Sequence, residues 1–413
     1  MRSTCFALAA LTCLVPSATL AQRSDLPLEA QVIAILDGHP VVAAATARIN
    51  AARAQNDMLR RGPHEVTVSG SYNRRTVKRE GEYDEFDTTI GRTFRWPGKA
   101  ALDRKAGALG MEVAENRAED VRHQAALTLS TVWYDWLTAS ALHRNDQETV
   151  ALLERSAQAI HRRRQLRDAS DLDIDQANTA LAQARGQAAG SLADREQARA
   201  TLAATFPDLP LPVEPPALGA PELPTEPLAT MRDRVIERSH EIRAADREAQ
   251  RLGVVSQRIR ADRIADPTFG IRLFRERSGL ERGVGVVMSM PLGGGYRRAA
   301  AGQASAEAHA AQFDLANVQR SIEAVADADL SNARTRMDVW RGMAEAASSA
   351  SAAASRTERG YHLGEIDLSD MLYARRQAHE AQRAEIEARG AAVRALTKLQ
   401  IDSHSIWVSP GDS

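Results

Sequence analysis

Two long stretches of the sequence contain no proline, and they restrict the possible fold more than any other feature. At 100–165 and at about 297–361, apolar residues recur at intervals of three and four, which is the period of an α-helix. At about 1.5 Å per residue, each predicted helix is roughly 100 Å long. A compact domain does not need such a helix, so the sequence predicts an elongated, mainly helical protein.

Shorter helices accompany each long one. We expect them at about 28–61 and 172–206 in the first half of the chain, and at about 228–265 and 368–400 in the second. Stacked end to end, each short pair matches the length of the long helix. Hydrophobic residues reach 44% while aromatic residues are only 4%, so small side chains dominate and helices can pack closely. The helices alone favour a soluble coiled coil and the wall of a tunnel equally.

A proline-rich segment at 207–227 divides the chain, because repeated prolines prevent a helix or an interior strand. The two halves match weakly at several points in the same order, including Pro63 with Pro267 and Asp173 with Asp370. We therefore predict a two-fold internal repeat. The predicted organisation is a signal peptide at 1–21, a first repeat at 22–206, a linker at 207–227, a second repeat at 228–400 and a C-terminal tail at 401–413.

The first 21 residues have the pattern of a cleaved secretory signal: a positive start, an apolar segment at 6–15 and small residues before a cleavage site after Ala21. Both cysteines, Cys5 and Cys13, lie inside this segment, so the mature chain would contain no thiol. Because Cys13 is a cysteine in this segment, the sequence does not decide whether the N-terminus carries a lipid. No later apolar stretch is long enough for a membrane-spanning helix, so we expect any membrane crossing to use strands.

Four short segments have the pattern of strands. The run 65–73 alternates apolar and polar residues, 268–273 does the same, and a returning strand follows each. The predicted loops between them, at 77–85 and 275–282, are rich in charge. Each strand has about the ten residues that a tilted membrane strand needs, with one apolar face for lipid.

Three aromatic residues, Tyr72, Phe94 and Trp96, lie near predicted strand ends. Aromatic side chains gather at membrane–water interfaces, so we predict that these three mark the borders of the membrane. Four strands cannot close a barrel, and open edges are not tolerated in lipid. The sequence therefore predicts an oligomer, and strand number alone allows a dimer of about eight strands or a trimer of about twelve.

With this architecture, the sequence resembles the TolC-like outer-membrane efflux factors, the exit ducts of tripartite pumps and secretion systems. The resemblance rests also on the run 288–295 before a helix, on the segment 364–372 after Tyr361, and on the element 96–99 (Trp-Pro-Gly-Lys), which resembles the heavy-metal efflux branch. It implies a fold that is mainly α with a transmembrane β-barrel. The implied assembly is a homotrimer with four strands per protomer and a long coiled-coil tunnel.

The resemblance also implies roles for the helix breaks at 167–171 and around Gly364. They would be hairpin tips that close the tunnel and contact a periplasmic adaptor through Leu166, Arg167, Leu363 and Gly364. Tyr361 and Asp370 match positions that narrow the entrance, and Asp173 is the repeat counterpart of Asp370. For both aspartates, stabilisation of a helix N-terminus is an equal alternative. A further family aspartate is replaced here by Tyr373.

The implied function is passive conduction, without chemistry and without a cofactor. We expect a channel in the outer membrane, in contact with lipid and extending into the periplasm, that receives metal ions or small toxic compounds from an adaptor and an inner-membrane transporter. An exit duct of a type I protein secretion system and a soluble periplasmic coiled-coil scaffold are the alternatives. The cargo and the pump are not specified by the sequence.

The sequence segments that partly resemble enzyme motifs or metal-binding motifs each lack a required residue or spacing. Gly98-Lys99 lacks the first glycine and the Ser or Thr of a phosphate-binding loop, and the stretch 379–383 has Arg383 where a zinc protease has its second histidine. The ten histidines are scattered, without paired spacing for a metal. With a net charge of -1 and interleaved signs, nucleic acid is not an expected partner. We predict that the protein is not an enzyme.

Overall fold

The computed structural model describes residues 25–408, so the predicted signal peptide at 1–21 lies outside the described residues. The helices are α1 (Glu29–Gly38), α2 (Pro40–Arg61), α3 (Lys99–Gln165), α4 (Asp171–Thr205), α5 (Leu228–Arg238), α6 (His240–Ala261), α7 (Gly295–Leu363) and α8 (Leu368–Asp402). The strands are β1 (Val66–Val77), β2 (Gly81–Thr93), β3 (Thr268–Glu276) and β4 (Glu281–Ser289).

The predicted mainly helical fold with four strands is confirmed. The long helices α3 and α7 have 67 and 69 residues, and each is followed by a helix of 35 residues. Both halves run in the same order, with two short helices, two strands, a long helix and a helix of half its length.

The prediction of one continuous helix at 28–61, and of another at 228–265, was wrong. The first is divided at His39, whose backbone is extended because the following Pro40 disfavours the helical conformation at the residue before it. The second is divided at Ser239, whose hydroxyl accepts a hydrogen bond from the Ile242 N–H at 3.1 Å and so caps α6.

Within the described chain, no single helix is both long enough and apolar enough to cross a membrane. The bent pair α1 and α2, which meet at 58°, passes that test by length and composition only.

The four strands form one antiparallel sheet in chain order, β1-β2-β3-β4. The pairing of β2 with β3 joins the two halves of the chain, with Ile90 opposite Ile271. Both hairpin loops are shorter than predicted, because the strands extend into the charged segments. Only 78–80 separates β1 from β2, and a short helical turn at Arg277–Gly279 lies between β3 and β4.

Helix α3 is central to the helical body, where it packs against α2, α4, α6 and α8, while α7 packs against α5, α6 and α8. The main apolar core is built on Trp133, Tyr134 and Trp136 of α3. The proline-rich segment is part of this core, since it buries Leu209 and Leu218. It therefore connects the halves as a packed strap and not as a free linker.

Candidate functional site

One face of the sheet is apolar across all four strands. The strand register aligns the alternating side chains of neighbouring strands, so that the apolar ones form one surface, with Thr88 within it and Arg92 at its helix end. This apolar face consists of Val66, Val68, Tyr72, Phe86, Ile90, Phe269, Ile271, Leu273, Val284, Val286 and Met288, all of them exposed. Val286, for example, is 83% exposed. An apolar surface of this extent marks a site of interaction with protein or membrane.

The opposite face of the sheet is mainly polar. Ser69, Thr89 and Arg272 follow one another across β1, β2 and β3, and Arg272 forms an ion pair with Asp87. Within the described chain, β1 and β4 each pair on one side only. Their outer edges therefore carry backbone groups that a neighbouring strand could bind.

The three predicted interface aromatics lie at both ends of the apolar face. Tyr72, towards the loop end, donates a hydrogen bond to Asp84 Oδ1 at 2.7 Å. Phe94 and Trp96 follow β2 at the helix end, where the Trp96 Nε1–H donates to the Ala265 carbonyl at 2.6 Å. Tyr72 lies near the middle of β1, because that strand extends beyond its predicted end, whereas Phe94 and Trp96 lie just after the end of β2. Contact of the three side chains with the membrane border stays a prediction.

The helix end of the sheet is held by a buried lysine that sequence reasoning missed. Lys99 is 2% exposed, and its Nζ contacts the Ile264 carbonyl at 2.7 Å, Asp266 Oδ1 at 2.8 Å and Asp262 Oδ1 at 2.8 Å. Burial opposes ionisation of Asp266, but the hydrogen bonds from Lys99 and from the Trp96 N–H outweigh it and lower the pKa of Asp266. Lys99 therefore ties the start of α3 to the end of α6.

A second ionic contact strengthens this junction. Asp103 of α3 accepts hydrogen bonds from Arg95 Nη1 and from Arg258 Nε, both at 2.7 Å. Arg95 also donates to the Leu59 and Arg60 carbonyls at 3.0 Å, which caps the end of α2. Through Arg95 and Arg258, the Asp103 carboxylate thus links the ends of α2 and α6, the helices that precede β1 and β3.

The predicted tips lie at the turns that join α3 to α4 and α7 to α8. Leu166 and Leu363 are 79% and 74% exposed. Arg167 and Gly364 both have positive φ, at 59° and 78°, which reverses the chain sharply after each long helix. The four residues lie where an adaptor could reach them, and that contact stays a prediction.

A contact near the tips connects the two helix hairpins. The Arg163 Nη1–H of α3 donates a hydrogen bond to the Tyr361 hydroxyl of α7 at 2.8 Å, and the guanidinium lies 5.6 Å from the centre of the ring. Asp168 fixes the guanidinium from the other side, with its Oδ2 2.8 Å from Arg163 Nε. Tyr361 was predicted as a site residue, but its partner Arg163 was not.

The two predicted aspartates differ in their surroundings. Asp173 Oδ2 accepts hydrogen bonds from the N–H and the hydroxyl of Ser170 at 2.7 and 2.8 Å, and the Asp173 N–H donates back to the Ser170 hydroxyl at 3.1 Å. This is a capping box at the start of α4. Asp370 is exposed in the first turn of α8 and forms no ion pair with a described residue. Of these two aspartates, only Asp370 therefore has a carboxylate without a hydrogen bond or ion pair to a described residue.

A cavity of about 1180 Å³ opens between α3, α4, α7 and α8 above the tips. At its wall, the buried Asp146 of α3 binds His379 Nε2 at 2.7 Å and Arg383 Nη1 at 2.5 Å, both from α8. The stretch 379–383, which does not match the zinc protease motif, thus holds α8 against α3 through these two contacts. In the described part of the chain, no three His, Cys, Asp or Glu side chains come together as metal ligands.

Another buried ionic cluster joins α3, α7 and α8. Lys398 Nζ lies 2.6 Å from both Asp329 Oδ2 and Asp402 Oδ2, and His123 Nε2 lies 2.8 Å from Asp402 Oδ1. Burial, together with a hydrogen bond to Asp402, raises the pKa of Asp329 to about 6. Because this folded-state pKa lies above the ordinary value, protonated Asp329 stabilises the fold at low pH, and this contribution is lost as the pH rises through about 6.

We therefore expect Asp329→Asn to change the pH dependence of stability. Between about pH 5 and about pH 7.5, the wild type should lose roughly 1 kcal/mol per subunit from this group, and the variant should not. Thermal unfolding followed by circular dichroism at the two pH values measures this. The control is Asp327→Asn, which alters an exposed aspartate of the same helix. An unchanged pH dependence in Asp329→Asn would contradict the assignment.

Comparison with known proteins shows likeness in structure and not in sequence. No protein-family model matches the chain, and no curated protein matches it. The outer-membrane channel OprN has 19% identity and a TM-score of 0.78, covering 93% of this chain and 91% of its own. CusC, described by its transmembrane channel formation, has 16% identity and a TM-score of 0.75, covering 91% of each chain. The outer membrane protein VceC of Vibrio cholerae has 16% identity and a TM-score of 0.74, and the match covers 91% of this chain and 95% of VceC. At these identities the likeness establishes the fold.

Proposed function

We propose that this chain, which has the fold of TolC-like outer-membrane channels, is a subunit of an outer-membrane efflux duct. The observation that carries the proposal is the continuous, exposed apolar face of an open four-stranded sheet, placed at the end of helices roughly 100 Å long. Such a face, backed by a polar one, matches a wall with lipid outside and water inside. The helices then extend from the membrane into the periplasm.

We infer that three copies close the barrel. The single-sided edges of β1 and β4 need strand partners, which neighbouring copies can provide. A dimer of about eight strands would leave an interior just wide enough for side chains, whereas a trimer of about twelve leaves room for a duct. The exposed apolar residues Phe313, Val339 and Met343 of α7 give the helical wall a surface for the next subunit.

The equal order and similar lengths of the elements in the two halves support an internal duplication, with repeats at 22–206 and 228–400. We assign the tips to the periplasmic entrance. In this arrangement Leu166, Arg167, Leu363 and Gly364 face an adaptor, and Asp370 lies beside the opening. The Arg163–Tyr361 contact then holds the two hairpins of each subunit together in the closed state.

The proposed cargo is small toxic solutes, metal ions included, delivered by an adaptor and an energised inner-membrane transporter. The element 96–99, which resembles metal-efflux relatives, is weak support for metal, because Trp96 and Lys99 both make structural contacts at the junction. A susceptibility panel of metals and drugs on a deletion strain would identify the cargo. Sensitivity to neither group would count against efflux of small solutes.

The channel itself is tested by purification and planar-bilayer recording. We expect the processed protein in the outer-membrane fraction, as a detergent-soluble trimer that forms discrete conductance steps. A monomeric protein that stays in solution without detergent would reject the proposal and favour a periplasmic scaffold.

Loss of the Arg163–Tyr361 contact should open the periplasmic entrance. A hydrogen bond to a charged group contributes about 1.5 kcal/mol or more, so Arg163→Ala should raise the open population by roughly ten-fold. Tyr361→Phe, which keeps the ring beneath the guanidinium, should have a smaller effect. Single-channel recordings measure the conductance and the open fraction. Arg162→Ala is the control, because Arg162 is an exposed neighbour without an ion pair to a described residue. Equal behaviour of Arg163→Ala and Arg162→Ala would exclude a gating role for the contact.

A further inference from the structure

Two arginines lie side by side at the loop end of the apolar face. Arg275 of β3 and Arg282 of β4 are direct cross-strand partners, and both are exposed. Strand alternation places them on the same face as Leu273 and Val284. Like charges directly opposite each other in a sheet repel. The pair is therefore unfavourable, and an anion bound by both guanidinium groups would relieve the repulsion.

The surrounding side chains do not supply that anion. Within residues 25–408, neither Arg275 nor Arg282 forms an ion pair with a carboxylate, and Arg275 Nη2 donates only to the Ser278 carbonyl at 3.2 Å. The nearby Glu281 is engaged with Arg277, at 3.5 Å.

The β1–β2 hairpin differs at the loop end of the same face. There Arg74 pairs with Glu82 at 2.6 Å, and Tyr72 donates to Asp84. Uncompensated positive charge on the apolar face is thus concentrated on the β3–β4 hairpin at this end. The asymmetry provides a matched control within one sheet.

The depth of the pair is consistent with lipid headgroups. Phe269, near the helix end of the apolar face, and Arg275 are about 20 Å apart along β3. Because strands of membrane barrels tilt by about 40°, this distance spans about 15 Å of an apolar band of about 25 Å. Arg275 and Arg282 are the last pair of the apolar face before the turn, so they lie at its end opposite the helices. An arginine can lay its aliphatic stem along apolar surface while its guanidinium reaches the polar layer.

We propose that Arg275 and Arg282 together bind the phosphate of an anionic lipid in the outer leaflet of the membrane. The proposal rests on the proposed function, because it requires the apolar face to lie in lipid with the helices in the periplasm. The planar guanidinium group binds phosphate through two parallel hydrogen bonds. One phosphate between the two arginines replaces their mutual repulsion with two attractive contacts, once in each subunit.

The test uses the purified full-length trimer after removal of bound lipid by detergent exchange. Diphosphorylated lipid A is added as the probe, phosphatidylcholine as the lipid without net charge, and inorganic phosphate as the soluble anion. Native mass spectrometry counts bound lipid, and thermal unfolding reports stabilisation. The double variant Arg275→Gln with Arg282→Gln is compared with Arg74→Gln with Glu82→Gln, which alters the neutral pair of the other hairpin.

We expect the wild type and the control variant to bind lipid A equally, and the double-arginine variant to bind it roughly thirty-fold more weakly. Equal lipid A binding by both variants would overturn the proposal. Equal protection by inorganic phosphate would also overturn it, because the site would then not select a lipid. If the double-arginine variant kept its trimer, its conductance steps and its full lipid A binding, this inference alone would be rejected. If the wild type itself formed no trimer, the proposed function would be rejected.

Discussion

Ile271→Arg is expected to prevent assembly of the channel in the membrane. Ile271 lies near the middle of the apolar face, between Ile90 and Val286 on the neighbouring strands. An arginine at the centre of the bilayer on the lipid side of a barrel costs about 2–4 kcal/mol. Three copies in a trimer raise this to roughly 6–12 kcal/mol, which is comparable to the whole stability of a typical folded protein. The amount of trimer extracted from the outer-membrane fraction measures the effect.

The matched control for Ile271→Arg is Ser69→Arg. Ser69 is level with Arg272, one residue from Ile271, but lies on the polar face, so its arginine would enter the water-filled interior. We expect near-normal trimer yield with an altered ion preference of the pore. If both variants assembled equally well, the apolar face would not be in lipid, and the channel proposal would fail with it.

The long helices and the strands could be predicted from the sequence because their patterns are local. Each long helix repeats its apolar residues over many turns without a proline, and each strand alternates along its own length. The division of the first short helix was missed, although its cause is local, since Pro40 disfavours a helical conformation at His39. The division at Ser239 has a weaker local pattern, because a serine within a helical stretch does not end the helix by itself.

The contacts that hold the candidate site together join residues far apart in the chain. Arg163 meets Tyr361 across 198 positions, and Lys99 meets Asp266 across 167. No spacing rule connects such pairs, so they become visible only after the helices are placed. Lys99 was missed for a further reason. In the sequence it was considered only as part of a possible phosphate-binding loop, Gly98-Lys99, and the role of its side chain in packing was overlooked.

The arginine pair on the sheet illustrates an intermediate case. Alternation alone places Arg275 on the same face as Leu273, and Arg282 on the same face as Val284. The register that makes the two arginines direct neighbours depends on the short turn at Arg277–Gly279. The sequence interpretation assigned both residues to a longer charged loop and therefore could not bring them together. The repulsion between the two arginines could therefore be predicted only with the correct length of the loop between β3 and β4.

Lys99→Met should give the largest loss of stability among single changes in the helical body. The substitution keeps most of the volume but removes the charge that binds Asp262 and Asp266 at 2.8 Å. Removal of one partner from a buried ion pair costs about 3–5 kcal/mol, because the remaining charge is left uncompensated. Thermal unfolding of the detergent-solubilised trimer, followed by circular dichroism, measures the loss. Lys105→Met, at an exposed position of the same helix, should leave the melting temperature unchanged.

A second substitution separates the loss of charge balance from the loss of packing. In Lys99→Met with Asp266→Asn, the carboxylate that Lys99 neutralises is also removed, so we expect part of the stability to return. Full recovery is not expected, because Asp262 and the Ile264 carbonyl still lack their partner. If the double variant were less stable than Lys99→Met alone, Asp266 would be stabilised mainly by the Trp96 N–H and His64, and the buried lysine would not be the centre of the junction.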